Sequence, residues 1–220
     1  MARPARKKGD IERAALELFV EKGVDGTSIR DIAERAGVTE GALYRHHKSK
    51  SDLVRALFFA HYEGFAEIIR KTQGRTASFD ELIGALVHGF FEFYDADRYI
   101  FQFVMVVRHQ LLDEVRRDDR NPVELLSRIL RDGQSSGDIP EQDTELTTQL
   151  LLGMVLQAAV AHHYGRVAGP LSEHSRRVTD ICITVAKYGA GKQDGHHIAP
   201  LDGPVIRRAP DDESVPPAAK

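Results

Sequence analysis

Along most of the chain, apolar residues recur every three to four positions and are separated by short breaks rich in Gly, Pro, Ser and Asn. That period is the signature of amphipathic α-helices. A first helix is predicted over 10–22, with Ile11, Ala15, Leu18 and Phe19 on its inner face and Gly23 at its end. Two short helices follow. Ser28 can cap the first and Asp31, three residues on, completes a capping box. Ile29, Ile32, Ala33 and Ala36 share one face, and Gly37 supplies the left-handed residue that ends the helix. Val38 is a small apolar plug, and Thr39 can cap a second helix over 40–47. Ser49 and Asp52 open a long helix over 51–71, with Leu53, Val54, Leu57, Phe58, Phe65, Ile68 and Ile69 apolar.

Further helices are predicted over 79–94, from Asn121-Pro122 to Gly133, over 142–164 and over 172–188. Asn121 is a good N-cap, and proline is tolerated at the first helical position. The segment 99–107, YIFQFVMVV, is β-branched, aromatic and partly alternating, and alone it reads as a strand. Nothing nearby offers a second strand, so a helix buried nearly all round is expected. The fold class is therefore all-α, with about nine helices. Residues 74–78 are a loop. Residues 189–220 are rich in Gly and Pro, lack periodicity, and are expected to form a disordered tail.

Composition narrows the function. The one cysteine, Cys182, excludes an intrachain disulfide and fits a reducing cytoplasm. No run of about eighteen apolar residues suggests a membrane span. The net charge of -3 alone argues against nucleic acid, but its distribution does not. Residues 1–50 hold eleven Lys/Arg against eight Asp/Glu, or +3, and the rest holds nineteen against twenty-five, or -6. Arg3, Arg6, Lys7 and Lys8 form a basic arm, expected to be disordered without DNA. A basic end on an acidic body suits a polyanion bound at that end. Catalysis finds no support: G-x-S-x-G, P-loop and G-x-G-x-x-G motifs are all missing. The pairs His46-His47 and His162-His163 project to different helix faces, and no H-E-x-x-H occurs, so no metal or other cofactor is expected.

Two short helices joined through a glycine-containing turn make a helix-turn-helix, whose second helix enters the DNA major groove. The residues carrying it are Thr27-Ser28-Ile29-Arg30-Asp31-Ile32-Ala33, Ala36-Gly37-Val38, Gly41-Ala42-Leu43-Tyr44, His46, Lys48, Lys50 and Leu53. This segment resembles the DNA-binding domain of the TetR/AcrR family of bacterial transcriptional regulators. One departure is His47, where the family usually has a core Phe.

The resemblance implies a basic arm over 1–8, a DNA-binding domain over 9–50, a ligand-binding and dimerisation domain over 51–188, and a tail over 189–220. It implies phosphate contacts from Thr27, Ser28, Tyr44 and Lys50. Base readout falls to Arg30, Thr39, Glu40, Gly41, Arg45 and His46. A homodimer through the last two helices would set two recognition helices about 34–36 Å apart on a pseudo-palindromic operator. Gly153, Ala158 and Ala161, with the stripe Val178, Ile181, Cys182 and Val185, are the expected interface. A cavity for a lipophilic ligand is expected in the body, lined by Phe65, Phe93, Phe101 and Met105 and also by Phe90, Phe103 and Met154. Polar groups from His109 and Gln157, and from Gln102 and His162, are expected to orient the ligand. The function implied is a homodimeric repressor released from its operator by that ligand. The alternative is a DNA-bound interaction protein whose filled body recruits another protein.

Overall fold

The computed structural model describes residues 3–73 and 78–188. The expected tail over 189–220 lies outside the described residues, as does most of the 74–78 loop. In order, the helices are α1 (Arg3–Lys22), α2 (Ile29–Arg35), α3 (Glu40–Tyr44), α4 (Lys50–Gln73), α5 (Phe79–Ala96), α6 (Arg98–Leu111), α7 (Pro122–Ser136), α8 (Thr144–His163) and α9 (Ser175–Tyr188). Short 3-10 turns occupy Leu112–Glu114 and Leu171–His174. No strand occurs among the described residues, and the all-α expectation holds.

Side chains written into the sequence delimit these helices. Ser78, Asp97, Asn121 and Asp143 each accept a backbone N–H of the first turn of α5, α6, α7 and α8 respectively. Gly137 closes α7 at φ 83°, a conformation that costs other residues a steric penalty. Asp97 ends α5 and caps α6, so the two helices meet at one residue.

Two expectations need correction. The basic arm is not free of structure, because α1 already begins at Arg3. Ala, Arg and Lys are strong helix formers, Pro4 falls where proline is tolerated, and Lys8 pairs with Glu12 one turn on at 3.6 Å. The 99–107 segment is helical but not buried all round. Phe101, Phe103, Val104, Val107 and Leu111 are inside, while Val106 is 56 % exposed.

The buried apolar residues fall into two clusters. One joins α1 to α4 through Ile11, Leu18, Phe19, Ile32, Leu43, Leu53 and Phe58, and it also takes in Phe103, Val104, Val107 and Leu111 of α6. The other centres on α5, α7, α8 and α9 through Phe91, Tyr94, Phe101, Leu130, Ala159 and Cys182. Hydrophobic packing thus does not stop at residue 50, because α6 contributes to both clusters. Polar contacts tie the same elements. Arg13 of α1 pairs with Asp97 and lies 5.1 Å over the Tyr99 ring, and Arg55 of α4 pairs with Glu114.

Candidate nucleic-acid interface and ligand cavity

Ser28 and Asp31 form the expected reciprocal box. The Asp31 N–H donates to Ser28 Oγ at 3.1 Å and the Ser28 N–H donates to Asp31 Oδ2 at 2.8 Å. The Ser28 hydroxyl and N–H together hold the Asp31 carboxyl below its usual range. Gly37, at φ 64°, turns the chain, and the Val38 N–H returns to the Ala33 carbonyl at 2.9 Å. Thr39 Oγ1 then accepts the Ala42 N–H at 3.2 Å and starts α3. This short helix buries Ala42 and Leu43 and ends at Tyr44, so Arg45, His46 and His47 follow it rather than belonging to it.

Eight of the ten residues assigned to DNA stand on the exposed side of this unit: Ser28, Arg30, Thr39, Glu40, Gly41, Tyr44, Arg45 and His46. Among the described residues, Arg30 and Arg45 have no ion-pair partner. A Cβ added at Gly41 would meet nothing within 4 Å, so the fold itself does not require glycine there.

Two assignments change. Thr27 is buried, and its hydroxyl is directed at the carbonyls of Gly23 (2.8 Å) and Leu18 (3.2 Å). The Lys50 ammonium donates to the carbonyls of Val24 (2.8 Å) and Thr27 (2.9 Å). Both side chains brace the α1–α2 reversal, whose carbonyls have no helical partner. Lys50 keeps one of its three N–H donors for an outside acceptor.

His47 is only 4 % exposed, wedged between α1 and α4. Glu12 Oε1 lies 3.9 Å from its Nε2 and Asp52 Oδ2 lies 4.0 Å from its Nδ1. Neither distance is a hydrogen bond. Nε2 is buried without a partner among the described residues. Burial pushes the imidazole below its ordinary value of 6.5, although both carboxylates pull the other way. The folded chain therefore holds this ring neutral while the unfolded chain takes up a proton first as the pH falls. The stability it contributes is present above pH 6.5 and drains as the pH drops towards the lowered folded value. His61 is shifted in the same sense, also by burial. The variant His47→Phe is expected to melt higher, since an unsatisfied buried polar atom costs about 1–3 kcal/mol. It should also lose part of the acid sensitivity. Thermal melts across mildly acid to neutral pH check this, and a variant with the wild-type slope and midpoint would contradict it.

The body holds a partly open cavity of about 500 Å³ between α4, α5, α6, α7 and α8, with Cys182 of α9 at its wall. Phe65, Phe90, Phe101 and Met105 line it as expected, together with Leu86, Val87 and Leu156. Phe93 does not line it but packs edge-on against Phe65 at 5.1 Å. Phe103 points the other way and stacks on Phe19 at 5.8 Å. Met154 packs against the body's core without lining the cavity.

None of the expected polar groups lines it. His109 and Gln157 are on exposed faces. Gln102 contacts His163 Nδ1 at 2.9 Å, and His162 is used structurally, between the Tyr94 hydroxyl (3.1 Å) and the Gly169 carbonyl (2.7 Å). The polar lining comes instead from Tyr62, Arg108, Arg117, Asn121, Glu124, Ser127, Glu145 and Gln149. Sequence reasoning missed these because helical period does not say which polar position faces a void. Tyr62, pushed up to about 12 by burial, keeps its proton and donates to Asn121 Oδ1 at 3.2 Å. Burial pushes the Cys182 thiol up to about 11, so it stays protonated and is no nucleophile.

On α8 and α9 the outward faces differ from those expected. Val178, Cys182 and Val185 turn into the body's own core. Leu146, Leu150, Gly153 and Gln157 form one exposed face of α8, Tyr164 is exposed just past its end, and Ile181 and Tyr188 lie exposed on α9. Among the described residues, α8 is long and apolar enough by length and composition to cross a membrane, with mean hydropathy 1.2. Its inner face is nevertheless packed on α7 and α9.

A capped pair of short helices at one end, carried on a helical body with an apolar cavity, defines a helix-turn-helix regulator. Residues 11–57 match the model of the bacterial regulatory proteins of the tetR family. Over these residues the chain carries the N-terminal DNA-binding segment typical of that family. It is 31 % identical over 114 residues to the HTH-type transcriptional activator FasR of Mycolicibacterium smegmatis, a match covering 50 % of this chain and 52 % of FasR. The matched stretch thus spans about half of that relative's length. The HTH-type transcriptional repressor KstR2 of the same organism is 25 % identical over 207 residues, covering 89 % of this chain and 97 % of KstR2. The transcriptional regulator FadR of Bacillus subtilis, solved in complex with stearoyl-CoA, shares the fold. Its TM-score is 0.67 at 21 % identity, over 80 % of this chain and 98 % of FadR.

Proposed function

We propose that the chain is a homodimeric transcriptional repressor that leaves a pseudo-palindromic operator when a lipophilic small molecule fills the cavity. The observation that carries this reading is the double use of α6. Phe101 and Met105 line the cavity, Phe103 and Val107 sit in the core that holds the helix-turn-helix, and Val104 does both. Tyr62 of α4 likewise belongs to that core and to the cavity wall. A ligand that moves α4 or α6 moves the floor on which α2 and α3 rest.

Inducer and DNA must weaken each other by the same factor. Full reversal of the two populations needs about 5.5 kcal/mol of preference for the released form. The stearoyl-CoA held by FadR supports a lipophilic ligand. The alternative, a body that only recruits a protein, calls for a filled core, and the cavity favours the ligand. The match to an activator as well as to a repressor makes the sign of regulation a direct readout for a reporter assay.

DNA contact is assigned to Ser28, Arg30, Thr39, Glu40, Gly41, Tyr44, Arg45 and His46, with Lys50 adding its remaining N–H. Tyr44 is the cleanest probe, because it is 50 % exposed and holds nothing in place. A hydrogen bond to a charged phosphate is worth about 1.5–3 kcal/mol. Tyr44→Ala is therefore expected to lower operator affinity about tenfold or more without changing the melting temperature or the oligomeric state. Gel shifts with a selected operator and sedimentation test it. Full affinity in both Tyr44→Ala and Arg30→Ala would remove this face as the DNA-binding surface.

A further inference from the structure

We propose that the ligand carries an anionic head group, held at the cavity by the guanidinium groups of Arg108 and Arg117, with an aliphatic chain filling the rest. The inference rests on the reading that the cavity is a ligand site. The charges lining the cavity are unevenly spent. Its two carboxylates, Glu124 and Glu145, are both taken by Arg131, at 2.9 and 3.4 Å, and Glu145 also accepts the Ser127 hydroxyl at 2.9 Å. Its two guanidinium groups have no carboxylate partner among the described residues. The Nε of Arg108 is buried without an acceptor among the described residues.

A guanidinium cannot shed its charge as a buried lysine can, so the buried Nε–H of the half-buried Arg108 is relieved only by an acceptor, while Arg117, also lining the cavity, is exposed. Arg108 stands in the last turn of α6, and Arg117 in the segment that leads to α7. The remaining wall is largely hydrocarbon, among it Phe90, Leu86, Val87 and Leu156. Cationic groups over an apolar hollow match an amphiphile of one aliphatic chain and one anionic terminus. Arginine engages carboxylate and phosphate alike in paired hydrogen bonds. The shared chemistry therefore comes from a free fatty acid or from an acyl chain carried on a phosphate-bearing thiol.

The test is calorimetric titration of the full chain with palmitate, palmitoyl-CoA and hexadecanol. Wild-type protein should bind at least one of the two anions about tenfold or more tightly than the alcohol. Which anion binds better identifies the source. Arg108→Met keeps the apolar stem and should bring the anion down to the alcohol's affinity while leaving the alcohol unchanged. Arg108→Lys should restore part of the preference. Arg117→Met serves as the second variant if Arg108→Met fails to fold. Equal binding of alcohol and acids by wild type, or undiminished preference in both methionine variants, overturns the head-group assignment. Binding of none of the three compounds overturns the cavity reading beneath it.

Discussion

Replacing Leu150 by Arg is expected to leave the chain a folded monomer that no longer holds its operator. Leu150 is 50 % exposed at the middle of the open face of α8, between Leu146 and Gly153. Such a row of apolar side chains in water is unfavourable, and a contiguous one marks an interaction surface. In a two-fold dimer the same patch meets itself, so one substitution enters the interface twice. An uncompensated buried charge costs about 3–5 kcal/mol. Two of them cost about 6–10 kcal/mol, enough to push a dimer of about nanomolar affinity into the micromolar range or weaker. The monomer keeps its fold because the residues facing the core, Leu151 and Ala159, are untouched. It loses DNA because linking two half-site contacts raises affinity by about 10²–10⁴, and that gain disappears with the partner. Sedimentation at micromolar concentration and a gel shift measure both effects. A variant that sediments as the wild-type chain does would mean that the exposed face of α8 is not where copies of this chain meet.

The second large effect is expected from Phe103→Ala. Phe103 is 1 % exposed and belongs to α6, yet its ring stacks on Phe19 of α1. Emptying a fully packed phenylalanine site costs about 3–5 kcal/mol. For a chain of this size each kcal/mol lowers the melting temperature by about 2–4 °C. The expected fall is therefore roughly 6–20 °C. The cavity wall is formed by Phe101 and Met105 on another side of the same helix, so ligand affinity should change little. Ligand-driven release of DNA should weaken, because the wedge that connects the cavity to α1 is gone. Thermal unfolding, ligand titration and an operator release assay on one preparation separate the three quantities. An unchanged melt would show that α6 does not support the DNA-binding helices, and the coupling route would then run through α4 alone.

Several misplacements share one physical origin. Cys182 and Ile181 are adjacent in an apolar stripe, yet the first is buried in the body's core and the second lies on the open face. Gln157 and His109 are polar residues on largely apolar helices and were natural candidates for a ligand. They project into solvent, while Arg108, next to His109, lines the cavity. One residue of difference is a rotation of about 100° around a helix. Period alone gives the width of a face but not which neighbour it meets. Thr27 and Lys50 illustrate the same point for hydrogen bonds. Both residue types suit phosphates, and only the approach of the α1–α2 loop reveals that its carbonyls already occupy them.

By itself the sequence determined whatever is decided within one turn of chain: most of the helices, the caps at Ser28, Thr39 and Asn121, the reversal at Gly37, and hence the helix-turn-helix and the all-α class. Those features depend on hydrogen bonds and steric limits that span at most four or five residues, so the local order of amino acids suffices. The tertiary structure alone decided that α6 serves two cores, that His47 is enclosed between Glu12 and Asp52, and that unmatched arginines face the cavity. These depend on contacts between residues tens of positions apart, whose geometry is fixed only when the helices pack against one another.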